Sequence, residues 1–374
     1  MQFSNETTTN SQSVQNLIYY MVIGFIGVLI TVLYNNGFSN YILGWIAFSI
    51  AAYSVAGNDA IQTIGTFIES KKESKLLPKI LIFCGLLFLV SLYGWFVDDG
   101  EIHFHRLDKF PSPDKYNLIQ LLAPLVLVVI TRMKAPISTT FLILGLFGGR
   151  NIDKMLTKSF LGYGIAFLSA LLIWGLHSYF KKEEYEENIE NKASDEFWGK
   201  LQWASTSLLW VSWLLQDTAN IAVYLPRKLS IFEAIMALSI IAGALSFILY
   251  TNGGAIQEIV SEKSDINSAK AATILDIVYA AVLIVFQQIS KMPMSTTWVF
   301  LGLLAGREII IHMVTKRDRP YLETFRQVGK DVMLASLGIT ISISFFILST
   351  YIYSGELLGL DTILNLSKYL SIAQ

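Results

Sequence analysis

The chain has 374 residues, of which 53% are hydrophobic and 15% are charged, whereas charged residues make up roughly 25% of an ordinary soluble domain. Lysine and arginine number 28 against 29 aspartate and glutamate residues, so the chain lacks the surplus of positive charge typical of nucleic-acid binding. The single cysteine, Cys84, excludes an intramolecular disulfide and a cysteine-cluster metal site.

Many runs of the sequence are long and apolar enough for a transmembrane helix, which needs about 20 such residues. We predict nine helical runs and two shorter, irregular pieces, at 136–150 and 293–312. The nine cover residues 17–34, 41–68, 76–97, 117–133, 157–180, 201–225, 231–250, 271–290 and 331–353. The pattern predicts an all-α integral membrane protein with about 10–12 membrane segments, multi-pass in a plasma or bacterial inner membrane.

Basic residues predict the orientation of the chain, because they collect on the cytoplasmic side of short loops. Lysines at 71–79 and basic residues at 316–330 place these two connections inside, and the acid-rich connection 98–116 is expected outside. Residues 1–16 contain no lysine or arginine and no small-residue cleavage site follows, so run 17–34 is expected to be an extra helix, not a signal peptide.

The chain contains an internal repeat. Residues 134–150 and 291–307 match without gaps at 10 of 17 positions, with Pro, Ser, Thr, Thr, Gly and Arg in step. Upstream of each copy an aspartate lies among amide residues at matching spacing, Asn58, Asp59 and Gln62 in the first half and Gln216, Asp217 and Asn220 in the second. Internal duplication is typical of secondary transporters, whose substrate site lies between the repeats near the bilayer midplane.

The repeat divides the chain into five parts. We assign residues 1–40 to an N-terminal segment with the extra helix, 41–180 to repeat 1, 181–200 to a polar linker, 201–354 to repeat 2 and 355–374 to a C-terminal tail. If 136–150 crosses the membrane the halves are antiparallel, and if it dips in and returns they are parallel. The charge distribution permits both.

Each Pro-x-Ser-Thr-Thr motif predicts the start of a short helix, because proline suits the first turn and hydroxyl groups cap free backbone N–H groups. A helix N-terminus combines these donors with a positive dipole end, and it binds anions. Two facing ends would offer six hydroxyls to one tetrahedral oxyanion, from Ser138, Thr139, Thr140, Ser295, Thr296 and Thr297. The alternative is that the hydroxyls bond to carbonyls of their own helices, but duplication of the whole motif favours the anion site.

Asp59 and Asp217 lie inside apolar runs, where a carboxylate costs at least a few kcal/mol unless it is paired, protonated or hydrated. With their neighbouring amides they offer hard oxygen ligands for Na⁺, or groups that carry a proton; the alternative is that the amides only pack helices. Two carboxylates would repel an anion unless a cation binds with it, so we predict coupling to Na⁺ or H⁺. Carboxylates accept a proton from dihydrogen phosphate but not from sulfate, which favours phosphate.

At these residues the chain resembles the inorganic phosphate transporter (PiT) family of secondary carriers, in which each repeat has a GANDxANxxGT-like and a PVSTTH-like segment. Residues 56–66 look like the first segment and 216–220 are similar to its second copy, while 136–140 and 293–297 look like the PVSTTH-like segments. The resemblance implies inverted repeats with broken helices that hold phosphate. Phe141 and Trp298 stand where the family has histidine, and we expect these rings to narrow and dry the site.

Carried over by position, the resemblance implies two sets of site residues. Ser138, Thr139, Thr140, Ser295, Thr296 and Thr297 would bind phosphate, with Asp59 and Asp217 at its rim. Asn58, Asp59, Gln62, Gln216, Asp217 and Asn220 would bind the cation. No further cofactor or metal is implied, and His103, His105, His177 and His312 lack metal-site spacing. Asp276 has no equivalent in the other half, and we interpret it as a packing, interface or vestibule residue.

The sequence therefore predicts a transporter of inorganic phosphate, coupled to Na⁺ or H⁺ and working by alternating access, and no enzymatic activity. The main alternative is a sulfate or other oxyanion permease on the same fold. An intramembrane aspartyl hydrolase would leave the duplicated hydroxyl motifs unexplained and lacks a G-x-G-D signature, and a non-transporting anion sensor is a further alternative. The sequence leaves the oligomeric state open, a homodimer included.

Overall fold

The computed structural model describes residues 2–135, 137–147, 152–180, 192–264, 268–289, 291–315 and 320–354. All regular structure in these ranges is helical. The helices are α1 (Gln2–Asn35), α2 (Asn40–Val55), α3 (Ile61–Ser70), α4 (Leu76–Val97), α5 (Leu118–Arg132), α6 (Thr139–Leu142), α7 (Ile152–Phe180), α8 (Lys192–Ala222), α9 (Ile231–Tyr250), α10 (Gly254–Ser264), α11 (Ala269–Ile289), α12 (Thr296–Thr315) and α13 (Tyr321–Ser354).

Parts of the sequence prediction fall outside these ranges. Pro136, Arg150, linker residues 181–191 and the tail 355–374 are not among the described residues. The rest of the polar linker, residues 192–200, forms the first turns of α8.

Eight spans in the described part of the chain are long and apolar enough to cross a membrane, by length and composition. They are provided by α1, the rod made of α2 and α3, α4, α7, α9, α11, α12 and α13. The apolar helix α5 is shorter, at 15 residues. Helix α8, which covers the predicted run 201–225 as far as Ala222, lies outside this set and carries buried Gln216, Asp217 and Asn220. The prediction of an all-α multi-pass membrane protein is confirmed.

Helices α2 and α3 form one rod interrupted by a π-helical turn, Ala56–Ala60, which contains Asn58 and Asp59. A π-turn inserts one extra residue into a helix, and such turns are frequent at functional sites. The matching residues of the second half, 216–220, lie within the continuous α-helix α8. The two acidic segments are therefore similar in sequence but differ in backbone.

The two hydroxyl motifs also begin different helices. In the first half, α6 has only four residues and is followed by a single 3₁₀ turn, Leu144–Leu146. In the second half, α12 continues for 20 residues, so the expectation of a short piece is correct for the first copy and wrong for the second. The two copies are therefore similar in sequence but differ in the length of the helix that they begin.

Helix contacts within and between the two halves come in matching pairs. Helix α6 packs against α13, and its sequence counterpart α12 packs against α7. Likewise α2 packs on α5 and α9, while α8 packs on α11 and α4. The starts of α6 and α12 are joined by hydrogen bonds, since Thr140 Oγ1 donates to the carbonyl of Met294 at 3.2 Å and Thr297 Oγ1 to that of Ile137 at 3.4 Å.

Helices α7 and α12 pack closely, because glycines remove side chains where the backbones approach. A Cβ atom on Gly302 would collide with the carbonyl oxygen of Tyr163, and one on Gly306 would collide with that of Phe167. Small residues at helix interfaces permit such approach in membrane proteins. The pairing fixes the start of α12 against α7.

We expect Gly306→Ala to destabilise the protein by about 1–3 kcal/mol, because the added methyl group must push α12 away from α7. Thermal unfolding in detergent measures this as a lower midpoint. The control is Gly164→Ala on α7, where a Cβ atom meets open space and alanine favours the helix. Equal midpoints for both variants would contradict the close contact.

Candidate functional site

Four segments that are distant in the sequence meet at one site. They are the π-turn with the start of α3, the start of α6, the last turns of α8 and the start of α12. Every predicted site residue is buried, with at most 5% of its surface exposed. These residues are Asn58, Asp59, Gln62, Ser138, Thr139, Thr140, Gln216, Asp217, Asn220, Ser295, Thr296 and Thr297. The site is therefore occluded in this conformation.

Asp217 and Asn220 together join α8 to both hydroxyl motifs, which we call the STT segments (Ser138–Thr140 and Ser295–Thr297). Thr296 Oγ1 donates to Asp217 Oδ2 at 2.5 Å. Asn220 Nδ2 donates both to Asp217 Oδ1 at 3.0 Å and to Thr140 Oγ1 at 3.1 Å. One carboxylate with one amide thus connects the starts of α6 and α12.

Asp59 occupies the matching position on the π-turn. Asn58 Nδ2 donates to Asp59 Oδ1 at 2.6 Å and to the carbonyl of Ile137, just before the first STT segment, at 2.7 Å. Gln62 Nε2 donates to Asn58 Oδ1 at 2.9 Å. Asp59 and Asp217 are near enough to interact electrostatically, so the site concentrates two acids in a buried space.

The two serines of the STT segments serve as helix caps. Ser138 Oγ accepts from the backbone N–H of Phe141 at 3.3 Å, and Ser295 Oγ accepts from that of Trp298 at 3.4 Å. N-cap hydroxyls of this kind stabilise helix starts. Thr140 and Thr296 instead bond across to other segments, so the alternative that all six hydroxyls serve only their own helices is wrong.

Three buried amide oxygen atoms of the site have no hydrogen-bond partner among the described residues. They are Gln62 Oε1, Gln216 Oε1 and Asn220 Oδ1. Buried polar atoms without a partner are rare in native proteins, and oxygen is the ligand that hard cations take. With the two carboxylates, these atoms are oxygen ligands of the kind that a hard cation takes.

Gln216 also has a structural role. Its Nε2 donates to the carbonyl of Leu283 on α11 at 2.8 Å, which is the helix-packing alternative for amide residues. Its oxygen still lacks a partner among the described residues. Gln216 therefore contributes one atom to packing and leaves one for the site.

Two buried basic residues flank the second STT segment, and the motif analysis missed both. Arg106 is 2% exposed; its Nε donates to the carbonyl of Leu215 at 2.7 Å and its Nη1 to that of Lys291 at 3.5 Å. Lys158 Nζ donates to the carbonyl of Met292 at 2.6 Å. Arg106 interacts electrostatically with both Asp217 and Lys158.

Arg106 reaches the site from the loop that connects α4 and α5, and not from one of the helices that carry the predicted site residues. Burial lowers the pKa of Arg106 to about 10, which leaves the guanidinium charged at neutral pH. The loop contains both acidic and basic residues, and no local sequence pattern distinguishes Arg106 as the one that is buried. Lys158 did carry a signal, since a lysine inside an apolar run is costly and often functional.

A third buried acid, Asp276 on α11, lies on a polar strip that extends from the site. Thr66 Oγ1 donates to Asp276 Oδ1 at 2.9 Å, and Thr206 Oγ1 donates to Oδ2. Thr66 follows Asn58 and Gln62 at four-residue intervals, so the three share one helix face. The interpretation of Asp276 as a packing residue agrees with these contacts, although the strip itself was not predicted.

The aromatic residues after the STT segments are both buried. Trp298 packs edge-on against Phe160 and Tyr163 of α7, with ring centroids 5.1 Å and 5.8 Å away. Phe141 belongs to the apolar core. Trp298 therefore contributes to the α7–α12 contact, and the narrowing of the site by these rings stays a prediction.

The fold is shared with a solved protein. Over 82% of this chain and 97% of the other, the structure is similar to one described as "The sodium-dependent phosphate transporter", with a TM-score of 0.57 and 15% sequence identity. No protein-family model and no curated protein matches the sequence. The likeness confirms the fold class predicted from the sequence, and at this identity it shows the fold alone.

We expect Thr296→Val to destabilise the protein by about 1–3 kcal/mol, because it leaves an oxygen of buried Asp217 without a donor. Thermal unfolding in detergent at neutral pH measures the loss, and Thr296→Ser should restore stability. The control is Thr218→Val, whose buried hydroxyl donates only to the carbonyl of Leu214 one turn earlier. A loss at Thr218 as large as that at Thr296 would count against the cross-helix bond.

Proposed function

We propose that the chain is a secondary transporter of inorganic phosphate, coupled to a cation and working by alternating access. The observation that carries the proposal is the occluded site in which Asp217 and Asn220 bond to both STT segments. Arg106 and Lys158 stand beside it, and Asp59 faces it from the π-turn. These groups provide hydroxyl donors and positive charge for an oxyanion, and oxygen ligands for a cation.

Charge balance supports coupling. Asp59 and Asp217 contribute two negative charges when ionised, and Arg106 and Lys158 contribute two positive charges when protonated. An entering phosphate adds negative charge beyond this balance of two against two, and buried charge is costly unless it is paired. A cation that binds to the carboxylates and the three unpartnered amide oxygens compensates it, so anion and cation enter together.

The donor set favours phosphate over sulfate. Asp59 and Asp217 accept hydrogen bonds when ionised, and dihydrogen phosphate carries hydroxyl donors for them, whereas sulfate is fully ionised and carries none. A site built to pair with a hydroxyl rejects an analogue that lacks it, because its own buried groups are then unpaired. An oxyanion other than phosphate would need a donor of this kind.

We infer that Na⁺ is the coupling ion. The unpartnered site atoms are oxygens, which suit a hard cation, and the solved protein of the same fold is described as sodium-dependent. H⁺ is the alternative, with Asp59 or Asp217 as carrier. Experiment can distinguish Na⁺ from H⁺, because only Na⁺ would bind to the amide oxygens of Gln62 and Asn220.

The proposed transport cycle uses the two halves of the chain as inverted repeats in a plasma or bacterial inner membrane. The paired contacts of α6 with α13 and of α12 with α7 support this relation. Rocking one half against the other would open the occluded site to either side in turn, as in other repeat-built carriers. The substrate would remain between the two STT segments throughout.

The arrangement counts against an aspartyl hydrolase. Catalytic aspartate pairs share a proton directly, whereas no hydrogen bond joins Asp59 to Asp217 in the described part of the chain. Asn58, Asn220 and Thr296 occupy their oxygens instead. The STT segments, which such an enzyme would not need, supply part of these contacts.

We expect Asp59→Asn, Asp217→Asn and Thr139→Val each to reduce phosphate uptake by about tenfold or more, since a lost bond to a charged group costs roughly 1.5–3 kcal/mol. The measurement is labelled phosphate uptake into proteoliposomes down an imposed Na⁺ or H⁺ gradient. Asp114→Asn, at an exposed acid in a loop, is the matched control. Uptake that is indifferent to both aspartate changes would refute the coupling argument.

We expect phosphate and arsenate to raise the thermal unfolding midpoint only when Na⁺ is present, because a ligand that binds the folded state stabilises it. Sulfate and molybdate, with and without Na⁺, complete the series. Stabilisation by sulfate alone would favour the sulfate permease, and independence of Na⁺ would favour H⁺ coupling. Tight phosphate binding without uptake would identify a sensor.

A further inference from the structure

A cluster of metal-ligating side chains lies in the connection between α4 and α5, outside the proposed transport site. One nitrogen or oxygen atom from each of Glu101, His103 and Asp108 falls within 4.8 Å of the other two. A second histidine, His105, adjoins them, with Nδ1 3.4 Å from Glu101 Oε2 and Nε2 3.2 Å from Asp98 Oδ1. The sequence analysis found no metal-site spacing among the histidines, and Asp108 joins Glu101 and His103 only through the fold of the loop.

His103 is the residue of this cluster that most directly indicates a bound metal ion. Its side chain is 2% exposed, and neither ring nitrogen has a hydrogen-bond partner among the described residues. Glu101 Oε2, 3.6 Å from His103 Nδ1, also lacks a hydrogen-bond partner there. A buried imidazole with both nitrogens unpaired is costly, and a metal ion is a partner that both His103 and Glu101 can share.

We propose that Glu101, His103 and Asp108, with His105 beside them, bind a divalent transition-metal ion, and that Zn²⁺ is the best match. Imidazole together with carboxylate suits Zn²⁺, whereas Ca²⁺ and Mg²⁺ prefer oxygen ligands alone. Bond lengths of 2.0–2.2 Å place the ligand atoms of a tetrahedral site roughly 3.3–3.6 Å apart. Asp108 is exposed and can close the remaining gap by a small movement.

The proposed metal site constrains the position of Arg106 through the backbone of the loop. Arg106 follows His103 and precedes Asp108, so the ligands enclose it on both sides in sequence. A metal held by these ligands fixes the backbone that carries Arg106, whose guanidinium bonds to the carbonyls of Leu215 and Lys291. Metal binding therefore holds the arginine in its inserted position beside Asp217.

Titration calorimetry with Zn²⁺ alone tests the site on full-length protein in detergent, purified without a polyhistidine tag. We expect one Zn²⁺ per chain, and an affinity lower by about tenfold or more in His103→Ala, Glu101→Gln and Asp108→Asn, because each removes a ligand. Asp114→Asn, an exposed acid of the same loop, should bind as wild type does. Absence of saturable binding, or unchanged binding by His103→Ala, would overturn the proposal.

Two further readouts keep the test decisive. If His103→Ala does not fold, Glu101→Gln and Asp108→Asn decide, since neither side chain is fully buried. Zn²⁺ should slow amide hydrogen exchange across residues 101–108 in the wild type and not in Asp108→Asn; unchanged exchange would overturn the link to Arg106. Ca²⁺ binding in place of Zn²⁺ would overturn the assignment of the metal class. No arm measures transport, so failure here is separate from failure of the proposed function.

Discussion

The hydrogen bond from Thr296 to Asp217 ties the start of one helix to an acid on another, and much of the central structure depends on it. A carboxylate in an apolar environment must find donors or cations, and Asp217 finds them in Thr296, Asn220 and the nearby guanidinium of Arg106. Asn220 extends the link to Thr140. Satisfying one buried charge thus draws α6, α8 and α12 together.

The internal repeat revealed most of this site from sequence. Twelve residues named from two short motifs prove to be buried together, because duplication distinguishes retained polar groups from incidental ones. Four-residue spacing correctly placed Asn58 and Gln62 on one helix face, where they bond to each other. A local sequence pattern predicts a side-chain contact correctly when the two residues lie on the same helix or in matching copies of a repeat.

Other features depend on long-range folding and had no local signal. Arg106 enters from a loop, and its role follows from where the loop packs rather than from its neighbours in sequence. Asp276 has no copy in the other half, so its bonds to Thr66 and Thr206 could not be inferred from repetition. Helix α12 continues for 20 residues, whereas α6 has four. The similarity of the two motif copies did not indicate this difference.

The π-turn at Ala56–Ala60 has a geometric consequence for the rod that contains it. Successive residues of an α-helix are rotated by about 100°, so one extra residue turns the whole of α3 by that angle relative to α2. The first part of the rod faces α5 and α9, and the second faces α8, α10 and α11. The inserted residue therefore allows the rod of α2 and α3 to contact two differently oriented sets of neighbouring helices. Asp59 lies at the junction between the two parts of the rod.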